Sequence, residues 1–343
     1  MKDTLTDANF PRTADQRVYH LGVGPGEVAN RIVTVGSPSR ANTVASFLDS
    51  QPKPFILSSE RGFLTITGRY KGTPISIISI GMGSPNMDFF VREIRESVSG
   101  DLAIVRLGSC GGLVDVPPGT VVIPTACVAI SRNVDFDFVN PENCDEPAYR
   151  ISKPVSADAA LTEEVRKALE AAKPSSSTSA IITGVVNASA DSFYSSQGRQ
   201  TSFPDHNEDL IQYLQNTVPN LATLEMETFH LYHLAACWKG RTLTTKAGST
   251  PLTTGPVSPT ITQTTSSPAH LVHPAPMTLP NSIIRAAATH LVFASRKSQD
   301  FITPQQVAEV EKWTGQGVLN ALVNLDISQD RLHPERDTVW EIL

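Results

Sequence analysis

The sequence predicts an α/β protein built around a mixed sheet. Two observations carry that expectation: short β-rich apolar runs recur and end in glycine, and stretches compatible with helices alternate with them. Arg31–Val35 runs into Gly36, residues 73–80 into Gly81 and residues 102–107 into Gly108, and each reads as a buried strand. Helix-compatible segments fall at 39–48, 87–97 and 157–172. Further strands are expected at 180–186, Leu221–Glu225 and 290–294, with 226–238 the helix leaving the second of these. The last helix has a marked start, because Thr303-Pro304-Gln305-Gln306 combines a capping-box pattern with proline at the first helical position. In such a fold, function gathers at the C-terminal ends of the strands.

The chain has 343 residues, 18% charged and 40% hydrophobic, with a net charge of −6. That balance describes a soluble globular protein without the basic footprint of a nucleic-acid binder, so neither DNA nor RNA is expected as a partner. Cys110, Cys127, Cys144 and Cys237 lie far apart, which fits reduced thiols better than a disulfide framework. Residues 1–11 show no apolar leader, and no apolar run approaches ~20 residues, so no membrane association and a cytoplasmic location are expected. One segment departs from this texture. Of the 42 residues 241–282, 23 are Thr, Ser or Pro and none is acidic, which reads as an irregular insertion within one domain spanning 1–343. Surface loop, lid and subunit-contact arm are all open readings of it.

Two places suit an oxyanion. Gly36-Ser37-Pro38-Ser39-Arg40 follows a strand and opens a helix, so backbone amides, the helix dipole and Arg40 face one anion; an ordinary strand-to-helix turn is the competing reading. Arg106 lies within an apolar strand, where a charge is costly unless it meets a ligand or a carboxylate. Other glycine patterns do not fit a nucleotide cofactor. No Gly-Lys-Ser/Thr cradle is present, Gly22-Val23-Gly24-Pro25-Gly26 contains proline, and Gly81-Met82-Gly83-Ser84-Pro85-Asn86 lacks the third fingerprint glycine. Taken alone, Glu225-Met226-Glu227 is a strand-to-helix junction with acids favoured by the helix dipole.

Together with Phe193-Tyr194-Ser195-Ser196-Gln197-Gly198-Arg199, these pieces resemble the nucleoside phosphorylase superfamily, and within it the uridine phosphorylase branch. The resemblance runs from about 18 to 322 outside the insertion. It rests also on Val18-Tyr19-His20-Leu21-Gly22, Ser59-Glu60-Arg61 and Gly108-Ser109-Cys110-Gly111. It implies a single-domain three-layer α/β/α sandwich whose mixed central sheet is partly barrel-like. Phosphate would be held by Gly36, Arg40, Arg106 and Ser109, with Arg61 lent by a neighbouring subunit. Glu227 would accept the ribose diol, Met226 would pack on the sugar, and the partner's His20 would lie near the 5′-hydroxyl. Base binding would fall to Gly111, Phe193, Gln197 and Arg199, and catalysis to Arg106, Gln197 and Arg199. A homo-oligomer with active sites shared across a dimer interface follows. No cofactor and no metal are implied, inorganic phosphate being a co-substrate.

The residue chemistry agrees with these roles. A carboxylate accepts two hydroxyls, Gln197 both donates to and accepts from an imide edge, Arg199 donates to a carbonyl, and Phe193 stacks. Purine-specific relatives use an aspartate where Phe293-Ala294-Ser295-Arg296 here places serine, so uridine is the expected substrate; Gly108-Ser109-Cys110-Gly111 is shared with the purine enzymes and keeps that alternative open. Glu227, His230 and His233 invite a metal reading, but side chains at i and i+6 diverge on a helix. A nucleoside hydrolase and a non-catalytic nucleoside-binding protein remain as further alternatives. The retained Arg40, Arg61 and Arg106 argue for phosphate as the nucleophile.

Overall fold

The structure, a computed structural model, describes residues 4–240, 279 and 281–342. Almost all of the expected 241–282 insertion lies outside the described residues. In chain order the elements are β1 (Leu5–Thr6), β2 (Arg12–Thr13), β3 (Arg31–Val35), α1 (Pro38–Ala45), β4 (Phe55–Ser58), β5 (Leu64–Tyr70), β6 (Thr73–Ser79), α2 (Ser84–Ser97), β7 (Leu102–Gly112) and β8 (Val121–Arg132). There follow β9 (Tyr149–Ile151), β10 (Val155–Ser156), α3 (Ala159–Ala172), β11 (Ile181–Ala190), α4 (Leu210–Thr217), β12 (Leu221–Glu225), α5 (Thr228–Cys237), β13 (Ile284–Ser295) and α6 (Pro304–Asn324).

Strands β3 to β13 form one mixed sheet. Its backbone runs β10-β8-β11-β12-β7-β3-β6-β5-β4, with β9 beside β8. Strand β13 pairs in parallel with β7 and antiparallel with β8, so the pairings β7–β13–β8–β11–β12–β7 return on themselves. Alternation along the inner strands divides the core into two layers. Val33, Val35, Ala103, Val105 and Leu107 pack with Ala41 of α1, Leu161 and Val165 of α3, and Trp313 and Leu319 of α6. Ile32, Leu102 and Ile104 face the other way, against Met87, Phe90 and Ile94 of α2 and Leu231 and Tyr232 of α5. Helices therefore cover both faces. No described helix is long and apolar enough to cross a membrane.

The predicted elements are present, with shifted ends. Ser37 caps α1 through a bond from the Arg40 amide, and Asp158 caps α3 through Leu161. The strand expected at 102–107 continues to Gly112, so Gly108-Ser109-Cys110-Gly111 is strand and not loop. His290 to Ser295 pair with its last five residues, and Thr223 and Leu224 close the other side. A β-carbon at Gly112 would come within 3.0 Å of Val116 and 3.1 Å of Val292, so this crowded crossing requires glycine. Strand β8 escaped the sequence reading because Pro124 interrupts it, an unusual residue for a central strand; the proline falls at a register irregularity opposite Val185.

Candidate active site

Strand β3 ends against Gly36, and one turn into α1 the Arg40 side chain folds back beneath the sheet end. Its Nε donates to Glu311 Oε1 at 2.7 Å and its Nη1 to the Leu107 carbonyl at 3.3 Å. Burial lowers the Arg40 pKa, an effect that Glu311 opposes and the charge of Arg106 reinforces. Arg106 lies on β7 with only 3% of its surface exposed. Its Nη2 donates to Glu227 Oε2, and its Nε stands 3.7 Å from Glu225. A β-carbon at Gly36 would lie 4.0 Å from Arg106 Nη2. Two anion-binding groups predicted from separate motifs thus share one strand-end cluster.

The two acids of Glu225-Met226-Glu227 have different work. Glu225, buried at the end of β12, accepts from Asn187 Nδ2 at 2.7 Å and from Ser189 Oγ. It also accepts from the Glu227 amide at 2.9 Å and from the Thr228 amide and hydroxyl at 3.0 and 2.9 Å. Burial pushes its pKa up, but His290, Arg106 and the donors Ser189 and Asn187 outweigh that and hold it below the usual carboxylate range. His290 Nε2 lies 2.8 Å from the Thr228 hydroxyl, and burial keeps that imidazole neutral down to about pH 4. Glu225 does the capping of α5, so Glu227, although it is the N-cap residue, makes no capping bond with its side chain. Its Oε1 instead accepts from the Gly83 amide at 2.6 Å. Gly83 has φ of 96°, a conformation that favours glycine.

Residues 193–199 follow β11. Gln197 is 2% exposed and its Oε1 accepts from Arg199 Nη1 at 2.5 Å. The Arg199 guanidinium lies 3.9 Å from the centre of the Phe193 ring, which is 47% exposed. Burial and the charge of Arg296 lower the Arg199 pKa to about 10. Arg296 donates to the carbonyls of Gln197 and Gly198 at 2.9 and 3.2 Å, and its stem covers Gly111. The four residues expected to bind a base are therefore one neighbourhood.

His20 and Arg61 stand apart from both groups within the chain. His20 Nδ1 is 2.6 Å from Glu93, with its ring stacked on Phe89 at 3.8 Å. Exposed Arg61 lies over Tyr19 and bonds its hydroxyl. No hydrogen bond, ion pair or ring contact among the described residues joins them to Arg106, Glu227 or 193–199. Ser109 and Met226 are half-buried on β7 and beside the start of α5. Among the described residues no group of three His, Cys, Asp or Glu could hold a metal. Sequence reasoning gave no site role to Gly83, Asn187, Ser189, His290 or Arg296. The one local signal was the glycine pair flanking Met82, read only as a failed dinucleotide motif.

A sheet of this connectivity, with paired arginines and a buried carboxylate at the strand ends, defines an α/β enzyme of the nucleoside phosphorylase class. The family model described as "Phosphorylase superfamily" matches residues 30–249, and the chain belongs to that family, whose assigned relatives are pentosyltransferases. It is similar to a uridine phosphorylase of Thermococcus kodakarensis, 30% identical over 244 residues, covering 68% of this chain and 78% of that protein. It is also similar to a DeoD-type purine nucleoside phosphorylase of Jannaschia sp., 29% identical over 228 residues and covering 65% and 83%. A solved structure from a study of two uridine phosphorylases of the oomycete Phytophthora capsici superposes with a TM-score of 0.76 at 34% identity, over 94% of this chain and all of that one. A Trypanosoma brucei nucleoside phosphorylase shares the fold, with a TM-score of 0.66 at 20% identity over 92% of this chain and all of that one.

Proposed function

We propose that the protein catalyses the reversible phosphorolysis of uridine to uracil and ribose 1-phosphate. The observation that carries this reading is the Gln197–Arg199 pair, a buried amide and a half-buried guanidinium 2.5 Å apart beside the partly exposed Phe193 ring. That combination complements the imide edge and ring of a pyrimidine. Arg40 and Arg106, with Gly36 and Ser109, would present phosphate to the anomeric carbon; Glu227 would accept the ribose hydroxyls beside Met226. A phosphate oxygen bonds to the anomeric carbon as the C–N bond breaks, and the electron pair leaves with uracil. Gln197 and Arg199 stabilise the charge that grows on the base, an interaction stronger in the transition state than in bound substrate. No covalent nucleophile and no cofactor enter this scheme. In a homo-oligomer, Arg61 and His20 of a neighbouring subunit complete the site.

Purine phosphorolysis is the second reading, favoured by the similarity to the Jannaschia protein. It requires an acid to protonate the departing purine, and by the family resemblance Ser295 stands where the purine enzymes use an aspartate. Assaying uridine, inosine, adenosine and thymidine with and without phosphate tests both. Uridine turnover that requires phosphate is the expected result. Preferential inosine or adenosine cleavage would establish the purine reading, and phosphate-independent base release would establish hydrolysis.

A further inference from the structure

Arg106 and Glu227 are assigned above to different substrates, yet within the protein they satisfy each other. Both are only 3% exposed, and they meet in a direct ion pair between Nη2 and Oε2. The remaining donors of Arg106 are poorly served: neither Nε nor Nη1 has a hydrogen-bond partner among the described residues. Unpaired buried donors of a charged group carry a desolvation cost that an incoming oxyanion recovers. Arg40 cannot take over the neutralisation of Glu227 freely, because its Nε is engaged by Glu311 at 2.7 Å. Glu227 has a second anchor in the Gly83 amide at 2.6 Å, which holds its carboxylate in place when Arg106 turns to another anion.

We propose that inorganic phosphate and Glu227 compete for the Arg106 guanidinium, so that phosphate binding releases Glu227 to receive the ribose diol and the two substrates bind with positive coupling. This rests on the phosphorylase reading above and adds to it the means by which one substrate prepares the site of the other. A phosphate on Arg106 weakens its hold on Glu227 Oε2, the atom then available to a hydroxyl. Conversely, a diol that engages Glu227 frees Arg106 for phosphate, and linkage makes the two effects equal.

Calorimetric titration of inorganic phosphate into the wild type, Glu227→Gln and Arg106→Ala tests the exchange. Glu227→Gln removes the competing charge and is expected to bind phosphate alone about fivefold or more tightly than the wild type, within the usual range of site-to-site coupling. A purely structural role for Glu227 would predict the reverse. Phosphate binding that is unchanged or weaker in a folded Glu227→Gln protein overturns the proposal. If that variant does not fold, the wild type decides through pseudouridine, whose C–C glycosidic bond resists phosphorolysis. Saturating phosphate should tighten pseudouridine binding about fivefold or more and leave 2′-deoxypseudouridine much less affected; equal effects on the two overturn the exchange. Arg106→Ala separates the premises: if it binds phosphate as well as the wild type, the phosphate-site reading itself fails.

Discussion

Arg199 sits where burial and a neighbouring guanidinium both disfavour its charge, and its pKa falls to about 10. Its guanidinium nevertheless stays cationic, so it remains a charged donor for the leaving base. Replacing it with alanine should lower kcat by ~10²–10³, the usual loss for a donor aimed at developing charge, with a smaller change in KM. Arg40→Ala should act differently, raising KM for phosphate far more than KM for uridine. Initial-rate measurements in which each substrate is varied in turn distinguish the two variants.

Helix α5 starts where it does because Glu225 collects the amide of the N-cap Glu227 and the amide and hydroxyl of Thr228, the first helical residue. Glu225→Ala would leave Asn187 Nδ2 and Ser189 Oγ with Cys127 Sγ as the acceptor in place of a carboxylate, and would remove a counter-charge near Arg106. A loss of about 3 kcal/mol or more is expected in urea unfolding, comparable to breaking a buried ion pair. Helix α6 offers the opposite case. Alanine usually improves a helix interior over glycine by about 1 kcal/mol, but a β-carbon at Gly317 would lie 2.8 Å from the Leu169 side chain and 3.3 Å from its Cα. Overpacking of the α3–α6 contact should win, and Gly317→Ala is expected to destabilise by about 1–3 kcal/mol. An unchanged urea midpoint would refute that packing argument.

At the scale of the whole molecule, two buried histidines bias stability against acid. Burial holds His290 and His333 to about 4, against an ordinary 6.5. The unfolded chain therefore binds protons first as pH drops below 6.5; their contribution is complete above 6.5 and is lost by about pH 4. Glu225, held below the usual carboxylate range, acts in the same sense, its contribution being present above 4.5 and lost as pH falls further. Tm should fall steadily from pH 7 to 4, and a flat profile there would contradict the burial of both rings. The separation of His20 and Arg61 from the Arg106 cluster has an assembly consequence under the proposed shared site. Mixing inactive His20→Ala and Arg106→Ala proteins should restore part of the activity through hybrid oligomers. Absence of rescue after verified subunit exchange would place each site within one chain.

Local pattern was enough for the alternating sheet and helices, the glycine-ended strands and the Thr303–Gln306 capping box, which the structure shows with bonds of 3.0 and 3.3 Å. Those features depend on neighbours a few residues apart, whose spacing the sequence displays directly. The chemical partners of the candidate site were decided by tertiary structure. Arg106 meets Glu227 across 121 residues, Gly83 meets it across 144, and Arg296 braces Gln197 across 99. An arginine in an apolar strand announces that a partner must exist, because an unpaired buried charge is too costly. Only the closing of β7 against β12 and β13 determines which carboxylate that partner is.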